Sequence, residues 1–180
     1  MNFAKAVAGR WLDANFGATF KCELHYRKIK PRLIAEEYLR PKEGDLIDYK
    51  IICILGKPVQ LIFSDKKTGQ TINFKIKNRK LGLPYYYEVG VGFIDVSPEE
   101  IAMSENLGDL LSTAEKLSAG MDFVRVDLYD VDGVIYFGEL TFTPSGFVSG
   151  LWIDVDNWTF LDDEMQEWAR SGLPKHITVL

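Results

Sequence analysis

Arg125, Asp127, Glu139 and Thr141 are the residues whose types and spacing suit chemistry. They fall in the stretch Phe123 to Phe147, which reads Phe-Val-Arg-Val-Asp-Leu-Tyr-Asp-Val-Asp-Gly-Val-Ile-Tyr-Phe-Gly-Glu-Leu-Thr-Phe-Thr-Pro-Ser-Gly-Phe. Two carboxylates converging beside an arginine repel one another unless a cation lies between them. Magnesium suits such a site, since it takes oxygen ligands in near-octahedral geometry. It usually binds one or two protein carboxylates and completes its shell with phosphate oxygens and waters. A nucleotide is therefore the expected co-ligand, with Arg125 facing its phosphates. The bland alternative is a cross-strand ion pair of Arg125 with Glu139 and a merely solvated Asp127.

The element that must position these residues is a β-hairpin. Val124, Val126 and Leu128 alternate with Arg125 and Asp127, the period of a half-buried strand, and Val134 to Phe142 is a second strand after the turn residues Asp132-Gly133. The turn decides whether there is a site. A three-residue loop, Val131-Asp132-Gly133 with Gly133 left-handed, sets Asp127 against Phe137 and Arg125 against Glu139. Arg125, Asp127, Glu139 and Thr141 then share one face, with the carboxylates on diagonal positions about 5–8 Å apart. A two-residue Asp132-Gly133 loop slips the register by one, sends Glu139 to the opposite face and removes the metal site. Beyond Thr141, Pro144-Ser145-Gly146 forms a small-residue loop whose N–H groups suit an anion.

A second segment bears on the same chemistry. Pro31-Arg32-Leu33-Ile34-Ala35-Glu36-Glu37-Tyr38-Leu39 is followed, after a polar loop, by Asp48-Tyr49-Lys50-Ile51-Ile52-Cys53-Ile54-Leu55-Gly56-Lys57-Pro58-Val59. The phrases Ile-Ala-Glu-Glu-Tyr-Leu, Asp-Tyr-Lys with Gly-Lys-Pro, Phe-Val-Arg-Val-Asp-Leu-Tyr and Tyr-Phe-Gly-Glu-Leu-Thr-Phe occur in that order from about Lys30 to about Gly150. On these phrases the chain resembles the ATP-grasp ligases, and within them the TupA-like branch linked to teichuronopeptide, capsule and other polysaccharide biosynthesis.

The resemblance implies a hinge strand at Glu36 to Leu39, with backbone groups of Glu37 and Leu39 on the adenine edge and Glu36 and Tyr38 framing that pocket. It implies Asp48 on the sugar side of the nucleotide and Lys50 on the phosphate side. For Asp48 and Lys50 a surface ion pair is the competing reading, since strand alternation puts both on one face. The hairpin transfers as Asp127 and Glu139 binding magnesium, Arg125 and Lys50 as the catalytic cations on phosphate, and Thr141 where many relatives carry an asparagine ligand. The implied reaction is attack of a carboxylate on the γ-phosphate of ATP, giving an acyl phosphate and ADP. An amine then displaces phosphate to form an amide. For the TupA-like branch the partners implied are an amino acid and a uronic-acid or polysaccharide acceptor.

The chain departs from the family's pattern before the hinge. Residues 1–29 hold only a short amphipathic helix over Met1 to Phe16, with Phe3, Val7, Trp11 and Ala14 at helical spacing, and no glycine-rich lid or paired lysines. Without such contacts the γ-phosphate is poorly positioned. The expectation is an incomplete nucleotide grip, completed by a partner chain or a second copy, or a non-catalytic remnant serving as a binding or scaffolding module. A two-carboxylate glycosidase is a third reading. It needs one carboxyl to hold a proton, which an adjacent arginine opposes.

The 180 residues are 47% hydrophobic and 13% aromatic, enough for a core without metal or disulfide staples. The net charge of −5 argues against general nucleic-acid affinity. Basic residues alternate with apolar ones at Tyr26 to Arg32 and Asn73 to Lys80, as on exposed strand edges, where lysines deter pairing. One of these clusters meeting an anionic polymer is the alternative. Cys22 and Cys53 lack metal-ligand spacing with His25 or His176, and Cys53 reads as a reduced core residue. No signal peptide or membrane span is legible, so the cytoplasm, where ATP is supplied, is the expected compartment.

Val59 to Phe63 and Thr71 to Ile76 read as antiparallel strands joined through Asp65 to Gln70. Ser97-Pro98-Glu99-Glu100 starts a helix that continues through Leu107 to Leu117 and ends at Gly120. Asn78 to Val96, with Pro84 and three consecutive tyrosines, reads as a long irregular stretch that orders on substrate. Ser145 to Asp156, with Trp152 and Asp154, is either a wall of the acceptor pocket or a packed loop, and Asp162 to Arg170 reads as a closing helix. The expected fold is α+β, a mostly antiparallel sheet with packed helices like the C-terminal ATP-grasp subdomain. Its organisation is an N-terminal helix and connector over 1–29, an ATP-grasp-like domain over 30–160 and a C-terminal helix and tail over 161–180.

Overall fold

The structure, a computed structural model, describes residues 2–13, 29–64, 71–88, 92–95, 97, 101 and 103–143. The chain divides into two compact units. Among the described residues the first unit holds 2–13, 29–38 and Thr143, and the second holds 39–142. In the first unit, α1 (Asn2–Asp13) carries an exposed Trp11, and residues 30–38 form neither helix nor strand.

Among its described residues the second unit is a seven-stranded antiparallel sheet with one long helix. The strands are β1 (Asp48–Ile54), β2 (Lys57–Ser64), β3 (Thr71–Lys77), β4 (Lys80–Glu88), β5 (Gly92–Asp95), β6 (Phe123–Val131) and β7 (Val134–Thr141), in the order β5-β4-β3-β2-β1-β6-β7. Neighbours in sequence are neighbours in space, except that β6 returns to the free side of β1 after α2 (Leu107–Ser118). Three hairpins close with two-residue turns whose residues both have positive φ: Leu55-Gly56, Asn78-Arg79 and Asp132-Gly133. Such turns match the right-handed twist of the strands they join.

Alternation sorts each strand onto two faces. Tyr49, Ile51 and Cys53, Leu61 and Phe63, Ile72, Phe74 and Ile76, and Val124, Val126 and Leu128 are buried together with Leu110, Leu111 and Ala114 of α2. The helix repeats its apolar residues at 107, 110, 111, 114 and 117, the spacing of one helical face, and packs across β1, β2 and β6. Cys53 is buried and free, and burial pushes its thiol up to about 12, so it is an inert thiol of the core. With this face committed to the helix, Asp48, Lys50, Arg125 and Asp127 take the other one.

Several expectations are corrected. Asn78 to Val96 is not irregular: β4 and β5 occupy most of it, and the tyrosine run lies in β4, as aromatic residues favour a pleated surface. Pro84, opposite Phe74, is tolerated where the β3–β4 ladder already shifts register. The lysine-rich β3 is an interior strand between β2 and β4, not an edge. The helix does not run on from Ser97: Ser97, Ile101, Met103 and Ser104 are non-helical and α2 starts afresh at Leu107. Ser104 is drawn elsewhere, its N–H donating to the Tyr49 hydroxyl at 3.0 Å and its own hydroxyl to Asp130. The expected loops at 65–70 and 145–156, Cys22 and the closing helix at 162–170 lie outside the described residues.

Asp130 ties the hairpin to the start of α2. Its carboxylate accepts from the Ser104 hydroxyl, from Asn106 Nδ2 at 3.1 Å and from the Gly133 N–H at 3.0 Å. Partial burial works to raise its pKa, but these three donors outweigh it and hold the carboxyl below its ordinary 3.8. A group lowered in this way adds stability above its unfolded pKa, and loses that contribution as pH falls through the folded value. Asp130→Ala is expected to cost about 1–3 kcal/mol at neutral pH in urea unfolding, with the gap from wild type closing in acid. A gap unchanged between neutral pH and strong acid contradicts this assignment.

Candidate functional site

Strand β6 supplies Arg125 and Asp127 from the face turned away from α2. Asp127 is the most deeply placed carboxylate in the cluster, its side chain only 4% exposed, and a buried charge persists only when paired and hydrogen-bonded. Arg125 provides this in a two-pronged grip, Nε to Oδ1 at 2.6 Å and Nη2 to Oδ2 at 2.7 Å. The same Nη2 donates to Glu139 Oε1 at 2.6 Å. The planar fork of arginine suits such a double contact, which an ammonium cannot reproduce.

Glu139 reaches this position by a route that neither foreseen register contains. The turn is the two-residue Asp132-Gly133 loop, with φ of 53° and 86°, and Val131 pairs with Val134 and Leu128 with Phe137. This corrects the three-residue loop, and an unbroken ladder would turn Glu139 to the far face. The ladder breaks between Leu128 and Asp127, however, and resumes with Asp127 opposite Glu139 and Arg125 opposite Thr141. Gly138 is the extra residue of a β-bulge, and the slip it introduces restores Glu139 to the face of Asp127. The carboxylate residues are thus direct partners rather than diagonal ones. A Cβ on Gly138 would lie 3.0 Å from the Asp127 carbonyl oxygen and 3.1 Å from Tyr129 Cε2, so close approach selects glycine here. Thr141, buried beneath, donates its hydroxyl to Glu139 Oε1 at 2.8 Å.

Strand β1 completes the cluster, since Lys50 is paired with Asp127 and Asp48 with Tyr129. Lys50 Nζ forms an ion pair with Asp48 and a second with Asp127 Oδ2 at 3.2 Å. Burial opposes its charge, but Asp48 and Asp127 outweigh that and raise its pKa, so the ammonium is held charged. Arg125 is affected in the same sense by Asp127, Glu139 and Asp48, against its own burial. The phenol of Tyr129 is raised first by burial and then by the charge of Asp48, with Lys50 opposing. Ile52 and Ile62, paired with Arg125 and Lys50 respectively, are buried on this same face, and apolar surface beside charges strengthens their interactions.

The structure therefore brings together Asp48, Lys50, Arg125, Asp127, Glu139 and Thr141 from three adjacent strands. Asp48 Oδ1 is buried with no hydrogen-bond partner, an acceptor open to a donor or a cation. The expected hinge strand is not formed: residues 36–39 pair with no strand, Glu36, Glu37 and Tyr38 being exposed in the first unit and Leu39 half-buried in the second. Two members of the site were not foreseen. Tyr129 continues the alternation of Arg125 and Asp127 and was legible from it, whereas the bulge at Gly138 had only the glycine itself as a signal. Among the described residues no group of three or more His, Cys, Asp or Glu side chains is arranged to hold a metal ion.

A protein-family model described as TupA-like ATPgrasp matches residues 8–158, most of the chain and every member of the cluster. Comparison with curated proteins gives no match, and comparison with solved structures gives none.

Gly138→Ala is expected to destabilise the protein by about 1–3 kcal/mol, because the new methyl group crowds the Asp127 carbonyl of the ladder as well as the Tyr129 ring. Denaturant unfolding of the two proteins measures this directly. A neutral or stabilising effect contradicts the close approach at the bulge.

Proposed function

The chain belongs to the TupA-like ATP-grasp family, and from that premise we propose that it is an ATP- and magnesium-dependent carboxylate–amine ligase. The observation that carries this reading is the direct opposition of Asp127 and Glu139 about Arg125. The donor set fits magnesium: hard carboxylate oxygens, at most two residues for any one ion, with room in the ligand count for phosphate oxygens and water. The orphaned Asp48 Oδ1 beside Lys50 fits a site that receives a further polar group.

In this reading Asp127 and Glu139 hold the ion, and the Thr141 hydroxyl keeps the exposed Glu139 side chain on the site face. Bound magnesium neutralises charge on the phosphates. Lys50 and Arg125 contribute two fixed positive charges from rigid neighbouring strands, and phosphoryl transfer depends chiefly on such positioning and charge neutralisation. Asp48 takes the sugar side. Glu36, Glu37, Tyr38 and Leu39 serve the adenine edge, an assignment supported by the family alone. An acceptor carboxylate attacks the γ-phosphate, ADP leaves, and an amine displaces phosphate from the acyl phosphate to form the amide. No protein nucleophile is required.

The finer assignment is joining an amino acid to a uronic-acid carboxyl of a cell-surface polysaccharide, carried out in the cytoplasm where ATP is available. Its support is the family alone. Among the described residues no helix is long and apolar enough to cross a membrane. A partner chain or second copy contributing to the nucleotide grip belongs to the same proposal.

Calorimetric titration of ATP with magnesium tests the site. Wild type is expected to bind in a magnesium-dependent manner, with affinity lower by tenfold or more, about 1.4 kcal/mol, in both Asp127→Asn and Glu139→Gln. Binding that is unaffected by both substitutions, or no heat at millimolar ATP, contradicts the assignment.

A further inference from the structure

The space between the two carboxylates already has an occupant. Arg125 Nη2 lies 2.7 Å from Asp127 Oδ2 and 2.6 Å from Glu139 Oε1, and Nε closes on Asp127 Oδ1 at 2.6 Å. A magnesium ion bridging both residues sits about 2.0–2.1 Å from its oxygens, which would bring it against Nη2, charge to like charge. Asp127 meets a second cation as well, Lys50 at 3.2 Å on Oδ2. A divalent ion approaching alone would have to expel a guanidinium whose side chain is only 14% exposed and whose charge is reinforced by its neighbours.

We infer that Arg125 is the resident cation of the Asp127–Glu139 pair, that it and a divalent metal bind these carboxylates in competition, and that phosphate oxygens promote metal binding by drawing the guanidinium away. The second half rests on the nucleotide reading above. Phosphate presents the same bidentate acceptor geometry as a carboxylate, so the fork can exchange one partner for the other without losing its hydrogen bonds. Lys50 keeps Asp127 paired during the exchange. Nucleotide and metal then each raise the affinity of the other by the same factor, as linkage requires. The consequence is a site that resists divalent ions until the nucleotide is present.

Manganese, as a spin-active stand-in for magnesium, tests this on the full chain by electron paramagnetic resonance, with and without a non-hydrolysable ATP analogue. Wild type is expected to bind manganese weakly alone and about tenfold more tightly with the analogue, within the usual range of coupling. Arg125→Gln is expected to bind manganese alone about tenfold more tightly than wild type, and to gain little from the analogue. Arg125→Lys retains a charge for Asp127 but cannot bridge both carboxylates, so it takes an intermediate value and remains informative if the glutamine variant does not fold. Circular dichroism melts establish that each variant is folded. Folded variants that bind manganese alone no better than wild type overturn the inference. An analogue that binds under no condition overturns the nucleotide reading instead, because the comparison of manganese alone scores Arg125 without it.

Discussion

The arrangement of the sheet turns on one buried charge. Asp127 lies beneath the surface of a face it shares with Ile52 and Ile62, and a carboxylate so placed needs its partners supplied from fixed positions. Arg125, two residues away on the same strand, provides the fork. Lys50, the cross-strand partner on β1, provides a second cation. Because β6 lies between β1 and β7, that single residue collects charged neighbours from both sides, and the register on each side must be right for either to arrive.

On the β1 side the register is secured by the core. Tyr49, Ile51 and Cys53 pack with Val124, Val126 and Leu128 beneath α2, and a slip of one residue would drive Lys50 into that core. On the β7 side this packing is thinner: Ile135 and Leu140 lie half-buried against the core, while Val134, Tyr136 and Phe137 of β7, the outermost strand on this side among the described residues, are exposed. The bulge at Gly138 and the clamp at the turn supplement it. Asp130 secures one end of the hairpin to Ser104, Asn106 and Gly133. Asp132 accepts from the Lys42 N–H at 3.1 Å, tying the tip to the segment that leads into β1. Glu139 is thus carried on a strand whose turn end is held by polar contacts and whose inward residues Ile135 and Leu140 rest on the core.

Much of this was legible in the residues. Alternation along 123–131 assigned Arg125 and Asp127 to one face, the 48–54 run did the same for Asp48 and Lys50, and helical spacing from Leu107 located α2. What was not legible depends on contacts distant in sequence. The bulge arises where β7 meets β6 and has no periodic signature, so the correct turn length led to the wrong face for Glu139 and the wrong turn length to the right one. Ser104 leaves the helical path because of Tyr49 and Asp130, one far upstream and one across the sheet. The tyrosine run of β4 reads as irregular from the sequence, with Pro84 beside it, whereas the register shift opposite accommodates the missing N–H. Glu36 to Leu39 shows the opposite failure, a strand-like phrase that forms no strand.

The site depends most directly on Asp127 facing Glu139 across the β6–β7 ladder, and cross-strand nuclear Overhauser contacts in the isotopically labelled protein measure that pairing. The prediction is contacts linking Asp127 with Glu139 and Leu128 with Phe137, with Gly138 interposed between two segments of different register. An unbroken ladder pairing Asp127 with Gly138 and Arg125 with Leu140 would place Glu139 on the opposite face and contradict the site.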